Sequence, residues 1–466
     1  MSICDSGMKN KVFGAFVTTK VDDRHPLVKL SNFICWATLF ELVLPDLKAS
    51  TKCGKWWLGR KLKVRIHLAI YILQQMFNKT DRQIEYDVKD NAAYQLFCGR
   101  GIVENWHCPD HTKIEKFRSR ITPETQRLIA NYTAVAASNA GFANCSNIDI
   151  DSTVQEANMT YPTQAKMLAK LATLSKKIAD HVGNHVTDFF HKTKVHAFSV
   201  DLKQIKSIYR DFVFNSKKYS DTDKKYKLQT LMQAVTPAVC AAKVASKNLL
   251  RWVADLPWNI KRTINQLLNI GVPYLDNLAR NIYLGANIKL SLSLHLTCVG
   301  CFNKGKLHKN YEFGRAYQLM RLEGNFAMVL ANTDVRMHDK HSINNMVKMH
   351  QDYFGKNALQ SATADKGYYS SDNENALLMA GVQEVGIARP GNIKKEQLHS
   401  AETIEKLQNR RSAIEPMIGH IKHKGQMGRS RMKSDRTTLS AGYASVLGFN
   451  LRQIVRYQAR KSEKVA

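Results

Sequence analysis

The sequence lacks the features that mark secreted, membrane-spanning or nucleotide-hydrolysing proteins. Its nine cysteines are odd in number and scattered over 466 residues, a pattern typical of reduced thiols rather than of a disulfide framework. The longest apolar run covers residues 68–73, far short of the roughly 20 residues that span a bilayer, and the N-terminus has no apolar core of signal-peptide length. No Gly-rich loop precedes a Lys-Ser/Thr pair. We therefore expect a cytoplasmic protein that neither contacts a membrane nor hydrolyses nucleotides.

Acidic residues are also scarce relative to basic ones. The chain has 69 Lys and Arg against 39 Asp and Glu, a formal net charge of +30, while hydrophobic residues make up 44%. The length allows two or three domains with a substantial core. A charge of this sign favours a polyanionic partner, and nucleic acid is the commonest one. Ribosome-associated and membrane-surface proteins can be equally basic, so charge alone leaves these alternatives open.

The N-terminal third shows helical periodicity. Residues 1–25 are polar and predict no regular structure, whereas apolar spacing predicts helices over 26–49 and 61–77. Capping boxes are predicted at Thr80 with Gln83 and at Thr112 with Glu115. Short helices joined by turns fit either a helix-turn-helix-like module or an ordinary bundle.

A strand carrying two carboxylates follows at NIDIDST, residues 147–153. Ile148 and Ile150 alternate with Asp149 and Asp151, so a half-buried strand would place both aspartates on one face. Like charges so placed repel each other unless a cation or a basic group neutralises them. The alternative is an edge strand with two exposed aspartates.

A long helical block then separates this strand from further strands. Residues 163–289 predict helices, with lysines dense from 203 to 227 that form either a solvated face or a track for phosphates. Strands are predicted from 290 onwards, including a short one that ends at Asp365, and helices alternate with them. This order indicates an α/β core with a mixed sheet.

The stretch 410–431, RRSAIEPMIGHIKHKGQMGRSR, contains a carboxylate between two cations. In a continuous helix, Arg411, Glu415 and Lys422 fall in a narrow sector of one face. Positive neighbours keep a carboxylate ionised, and such an oxygen ligand suits a hard divalent cation. The alternative is a solvated surface ion pair. Pro416 predicts that a helix begins or kinks near Glu415.

Three acidic stretches together carry a resemblance. NIDIDSTVQEA (147–157), TADKGYYS (363–370) and the R-x3-E-x6-K pattern, with the flanking runs KGKLHKNYEFG and IEPMIGHIKHKGQMGRS, resemble the DDE transposases of bacterial insertion sequences. The resemblance implies an RNase H-like α/β catalytic core with a mixed sheet, preceded by an all-helical N-terminal domain and interrupted by a helical insertion. The implied boundaries are 1–140 for the DNA-binding and dimerisation domain, 141–162 with 290–466 for the catalytic domain, and 163–289 for the insertion.

The resemblance also implies a site. Its catalytic and metal-binding residues would be Asp151, Asp365 and Glu415, which would hold Mg²⁺, with Mn²⁺ able to substitute; Asp149 is a second candidate. Its DNA-binding positions would be Arg411, Lys422 and Gln408. Related signatures carry a tyrosine at the position of Gln408, and glutamine lacks a ring that could stack on a displaced base.

The implied function is metal-dependent cleavage at insertion-sequence ends, followed by strand transfer into target DNA. The partners would be double-stranded DNA, both terminal inverted repeats and target, and a second copy in a homodimer, in the bacterial cytoplasm at the nucleoid. Two alternatives stay open: a metal-dependent nuclease without strand transfer, and a catalytically inactive derivative that only binds DNA.

Overall fold

The chain divides into two compact units. The computed structural model describes residues 7–12, 15–49, 61–99, 108–186, 188–306, 309–332, 334, 337–387, 389 and 399–463. The first unit, here called the sheet unit, comprises residues 1–158, 300–432 and 436–466, and the second, the helical unit, comprises 159–299 and 433–435. The separation of 1–140 from the strands stays a prediction.

The strands form a hairpin and one six-stranded mixed sheet. They are Gly7–Val12 (β1), Ala15–Lys20 (β2), Asn144–Glu156 (β3), Gly300–Lys306 (β4), Lys309–Glu323 (β5), Phe326–Ala331 (β6), Ser361–Ala364 (β7) and Glu384–Ile387 (β8). The sheet order is β4-β5-β3-β7-β8, with β6 also paired to β5. β3 pairs antiparallel with β5 and parallel with β7, and β7 pairs parallel with β8. The mixed α/β class agrees with the sequence prediction.

Helices make up most of the remaining described chain. They are Pro26–Phe33 (α1), Trp36–Ala49 (α2), Lys61–Phe77 (α3), Asp81–Asp90 (α4), Ala92–Phe97 (α5), His111–Arg120 (α6), Pro123–Asn139 (α7), Gln164–His185 (α8), Phe189–Lys194 (α9), Leu202–Asn215 (α10), Asp221–Trp252 (α11), Trp258–Gln266 (α12), Val272–Tyr283 (α13), Ile343–Phe354 (α14), Ser371–Met379 (α15), Ala401–Ser412 (α16), Ile414–His423 (α17) and Asp435–Glu463 (α18). A π-helical turn, Leu267–Gly271, joins α12 to α13.

The helix starts and strand starts of the structure agree only in part with the local signals of the sequence. The capping box of Thr80 and Gln83 is confirmed at the start of α4. The box predicted at Thr112 is wrong, because α6 begins at His111 and the Asp110 side chain accepts from the backbone N–H groups of Thr112 and Lys113. The polar N-terminus contains the β1–β2 hairpin, and the strand expected from 290 begins only at Gly300.

Two buried asparagines close the outer edge of β6. The Asn131 side chain of α7 accepts a hydrogen bond from the Val329 N–H (2.9 Å). The Asn450 side chain of α18 accepts one from the Ala327 N–H (2.9 Å) and donates one to the Ala327 carbonyl (2.8 Å). Amide side chains thus satisfy backbone groups that a further strand would otherwise pair. The sheet is therefore anchored both to α7, which precedes its strands in the sequence, and to α18, which follows them.

The helical unit has a core of its own, and its described residues contain no strand. Helix α11 packs on α8, and α10 packs on both. A side chain at Gly271 would approach Leu171 of α8 to 2.6 Å, so glycine permits the close packing of the π-helical turn. Among the described helices no single one is long and apolar enough to cross a membrane, although α1 and α2 taken together, bent by 67°, are.

Candidate active site

The parallel pairing of β3 with β7 brings two predicted aspartates side by side. The register ends with Ile150 opposite Ala364. Asp151 and Asp365 each follow this last pair by one residue: Asp365 comes directly after the end of β7, and Asp151 lies within β3, which continues to Glu156. Because neighbouring strands are about 4.8 Å apart, the two aspartates lie close together at the point where the β3–β7 pairing ends. The structure thus brings together two acidic residues that lie more than 200 positions apart in the sequence.

Asp151 is electrostatically perturbed. Its pKa is raised to about 6: burial is the largest cause, and the negative charges of Asp365 and Asp339 act in the same direction, while the backbone N–H of Ser152 and the positive charge of Arg411 partly offset the rise. Neighbouring charges of the same sign disfavour ionisation of a half-buried carboxyl group. Such perturbed groups concentrate at functional sites.

Asp339, which the sequence analysis did not select, is the third carboxylate of this cluster. One of its oxygens accepts from Ser152 Oγ (3.0 Å) and the other from Gln318 Nε2 (3.1 Å). The Gln318 carbonyl in turn accepts from the hydroxyl of the buried Tyr368, three residues after Asp365. Asp339 follows no strand and belongs to no recognised spacing, so its sequence context gave no signal.

Asp149 shares the face of Asp151 but has a different environment. It is 1% exposed, and it forms ion pairs with Arg321 on β5 and with Arg410 on α16 (3.0 Å). Thr363 Oγ1 donates a further hydrogen bond to it (2.7 Å). The guanidinium groups of Arg321 and Arg410 thus neutralise the charge of Asp149, in line with the expectation that a cation or a basic group offsets the charge on this strand face, and they occupy the oxygens of Asp149. This geometry argues against Asp149 as a metal ligand.

Arg410 fixes α16 across two strands. Besides its bond to Asp149, it donates to Ser361 Oγ on β7 (2.8 Å) and to the Ile148 carbonyl on β3 (3.2 Å). The residue next to Arg410 is Arg411 of the predicted signature. The half-buried Arg410 guanidinium therefore holds the helix that carries Arg411 against β3, which contains Asp151, and β7, which Asp365 follows.

The signature stretch is not one helix. Helix α16 ends at Ser412 and α17 begins at Ile414, which confirms the predicted helix start near Glu415 and corrects the single-face arrangement. Arg411 is half-buried and acts electrostatically on Asp151. Glu415 is exposed in the first turn of α17, Lys422 is half-buried near its end, and Gln408 is exposed on α16.

A complete metal-ligand set is not assembled in the described residues, which contain no group of three or more His, Cys, Asp or Glu side chains placed to hold a metal ion. Cys298 and Cys301 are free thiols. The Asp151–Asp365 pair nevertheless has donor chemistry that fits Mg²⁺, because carboxylate oxygens are its usual protein ligands. A cation would also offset the repulsion between these two groups.

Comparisons with known proteins point to one class. Residues 16–120, from β2 to the end of α6, match the family described as "Transposase domain (DUF772)". The chain is 23% identical over 169 residues to "Uncharacterized protein ORF8 in nfe locus" of Rhizobium meliloti, which covers 35% of this chain and 78% of that protein. No solved structure matches. The family match supports a transposase, a class of enzyme that acts on DNA.

Proposed function

We propose that this protein is a DDE transposase of an insertion sequence, with an RNase H-like catalytic core built on β3 to β8. The observation that carries the proposal is the Asp151–Asp365 pair, which lies beside Arg411 where the parallel pairing of β3 and β7 ends and has a raised pKa at Asp151. A transposase-domain match over residues 16–120, a different part of the chain, supports the coarser statement that the protein is a transposase.

Asp151, Asp365 and Glu415 would hold Mg²⁺, or Mn²⁺ in its place. Bound divalent ions would supply charge stabilisation for an in-line displacement at phosphorus and activate the attacking oxygen. Glu415 would join the aspartate pair if α17 reorients about the break at Ala413, because the described residues contain no group of three acidic side chains already placed to hold a metal ion. DNA binding would favour that movement, because the bound DNA would bring phosphates to Arg411 on α16 and Lys422 on α17.

Basic side chains beside the acidic pair would position the DNA. Arg411 would bind a phosphate of the element end as a two-pronged donor, and Lys422 would bind another as a point charge. Gln408, exposed on the same helix as Arg411, would contact the DNA through hydrogen bonds rather than by stacking. Arg410 would keep Arg411 in place through its bonds to β3 and β7.

The reaction would have two steps at one site. Water first attacks the phosphodiester at the end of the element, and the leaving strand end is a 3′-hydroxyl. That hydroxyl then attacks a phosphodiester of target DNA, joining the element to the target and releasing a target 3′-hydroxyl. A homodimer would bring the two terminal inverted repeats together.

The test uses the full chain and DNA carrying the flanking inverted repeats. Cleavage should require Mg²⁺ or Mn²⁺ and should disappear in Asp151→Ala, Asp365→Ala and Glu415→Ala, each of which should still bind the ends. A pre-cleaved end should then be joined to target DNA. Cleavage without joining would indicate a nuclease, and end binding without cleavage by the wild type would indicate an inactive derivative.

A further inference from the structure

One face of α10 in the helical unit carries three exposed cations and an exposed aromatic ring. At 100° per residue, Lys203, Lys206, Arg210 and Phe214 fall within roughly 80° of arc. All four are exposed, and Phe214 is 79% exposed. This set is called the α10 face below. It lies outside the unit that contains the acidic site.

The opposite side of α10 accounts for how the helix packs. Ile205 is buried, and Ile208, Tyr209 and Phe212 pack partly against the core of the unit. These residues centre roughly 150° away from the α10 face by the same helical geometry. Packing therefore explains one side of the helix but not the position of Phe214. An exposed phenyl ring leaves apolar surface in water and so gains none of the stabilisation that burial would give it.

The cations of the α10 face have no acidic partner among the described residues. The only carboxylate within α10, Asp211, accepts from Lys227 (3.0 Å), Asn215 (2.9 Å) and Tyr219 (3.2 Å). Like charges three or four residues apart destabilise a helix, and cations in its N-terminal half oppose the helix dipole. An external anion would offset both costs.

The spacing suits a nucleic-acid strand. Successive cations rise by roughly 4.5 and 6 Å along the helix, and Phe214 lies about 6 Å further. One strand of DNA carries a phosphate about every 3.4 Å of duplex axis, so these steps correspond to one or two nucleotides. Cations that follow a backbone, ending at an aromatic side chain, are the usual composition of surfaces that bind single strands.

We propose that the α10 face is a second DNA-binding surface, at which Lys203, Lys206 and Arg210 bind consecutive phosphates and Phe214 stacks on an unpaired base. Charge complementarity favours this occupant over a second copy of the chain, because the face has three cations around one apolar ring. The surface needs no divalent metal, so its binding can be measured apart from cleavage.

The first test removes the charges. Full-length protein is titrated, in EDTA, with a fluorescein-labelled duplex that carries a single-stranded extension, at several salt concentrations. The Lys203→Gln, Lys206→Gln, Arg210→Gln triple variant should bind more weakly, and the slope of log affinity against log salt should fall in magnitude by about 2. A control triple, Lys177→Gln, Lys247→Gln, Lys261→Gln, removes equal charge from exposed positions on α8, α11 and α12.

The second test removes the ring. Phe214→Ala should bind the extended duplex about tenfold more weakly without a change in salt slope, and it should bind a blunt duplex as the wild type does. Phe189→Ala, which removes an 82% exposed ring from α9, serves as the control. Equal behaviour of each variant and its control would overturn the proposal. So would unchanged DNA binding with lost self-association in sedimentation, which would assign the face to a second copy.

Discussion

Asp149 and Asp151 lie two residues apart on the same face of β3, yet their surroundings are opposite in charge. Asp149 is buried between two arginines, Arg321 and Arg410. Asp151 is half-buried near the carboxylates of Asp365 and Asp339, and burial together with these charges raises its pKa. The comparison shows that neighbouring strands and helices, rather than the strand itself, determine whether an aspartate is paired with cations or placed near other carboxylates.

The two environments have different energetic consequences. A buried carboxylate with cationic partners is expensive to lose, because its removal leaves the partners uncompensated. A carboxylate crowded by others is expensive to keep ionised, and a bound cation relieves that cost. Removing Asp149 should therefore damage the fold, whereas removing Asp151 should damage the chemistry.

The largest expected effect is on cleavage. In the proposed mechanism, Asp151→Ala and Asp365→Ala should each lower the single-turnover rate of end cleavage by about a thousandfold or more, because the bound metal would stabilise the transition state by several kcal/mol. Asp372→Ala, which removes an exposed carboxylate from the first turn of α15, should leave the rate near that of the wild type. A fully active Asp151→Ala variant would remove the basis of the proposed function.

The next effect is on stability. Asp149→Ala should lower the free energy of unfolding by about 3–5 kcal/mol, because the buried Arg321 and the half-buried Arg410 would lose their shared partner. Asp151→Ala should not lower it. Urea titration followed by circular dichroism measures both. If Asp149→Ala unfolds at the urea concentration of the wild type, the ion-pair cluster does not have the role described here.

The pH dependence follows from the raised pKa of Asp151, about 6 in the folded protein against an ordinary 3.8. Between these values the folded state binds the additional proton, so this group lowers stability as the pH rises through 6. In metal-free buffer the difference between wild type and Asp151→Asn should reach up to about 3 kcal/mol above pH 6. Parallel melting curves from pH 4 to pH 8 measure it. A difference independent of pH would contradict the assignment.

The smallest effect concerns Asp339. Asp339→Asn should weaken the apparent affinity for Mn²⁺ by about tenfold, a typical result of changing a group behind the metal ligands. It should also move the acid limb of the cleavage pH profile to lower pH, because it removes a negative charge that raises the pKa of Asp151. A lower rate with an unshifted profile would indicate a merely structural role.

Sequence patterns predict the features of the fold that neighbouring residues alone determine. The alternation in NIDIDST predicts the shared face of Asp149 and Asp151, and the short strand expected to end at Asp365 is β7. The helix start near Glu415 follows from the backbone restriction that Pro416 imposes. Each of these features depends on residues within one turn or one strand.

The remaining features depend on contacts between distant parts of the chain. Arg321 and Arg410 pair with Asp149 across 172 and 261 residues, and no local pattern marks either arginine as its partner. Asp339 joins the acidic cluster through Ser152 and Gln318, from a turn without periodicity. The role of an aspartate on this strand could therefore not be read from the strand alone.

Calorimetric titration of Mn²⁺ into the full chain is the most direct test of the account. We predict that the wild type and Asp372→Asn bind Mn²⁺ above pH 6, whereas Asp151→Asn and Asp365→Asn, still folded by circular dichroism, bind it at least tenfold more weakly. Wild-type Mn²⁺ binding in both Asp151→Asn and Asp365→Asn would contradict the claim that this pair of carboxylates forms the metal site.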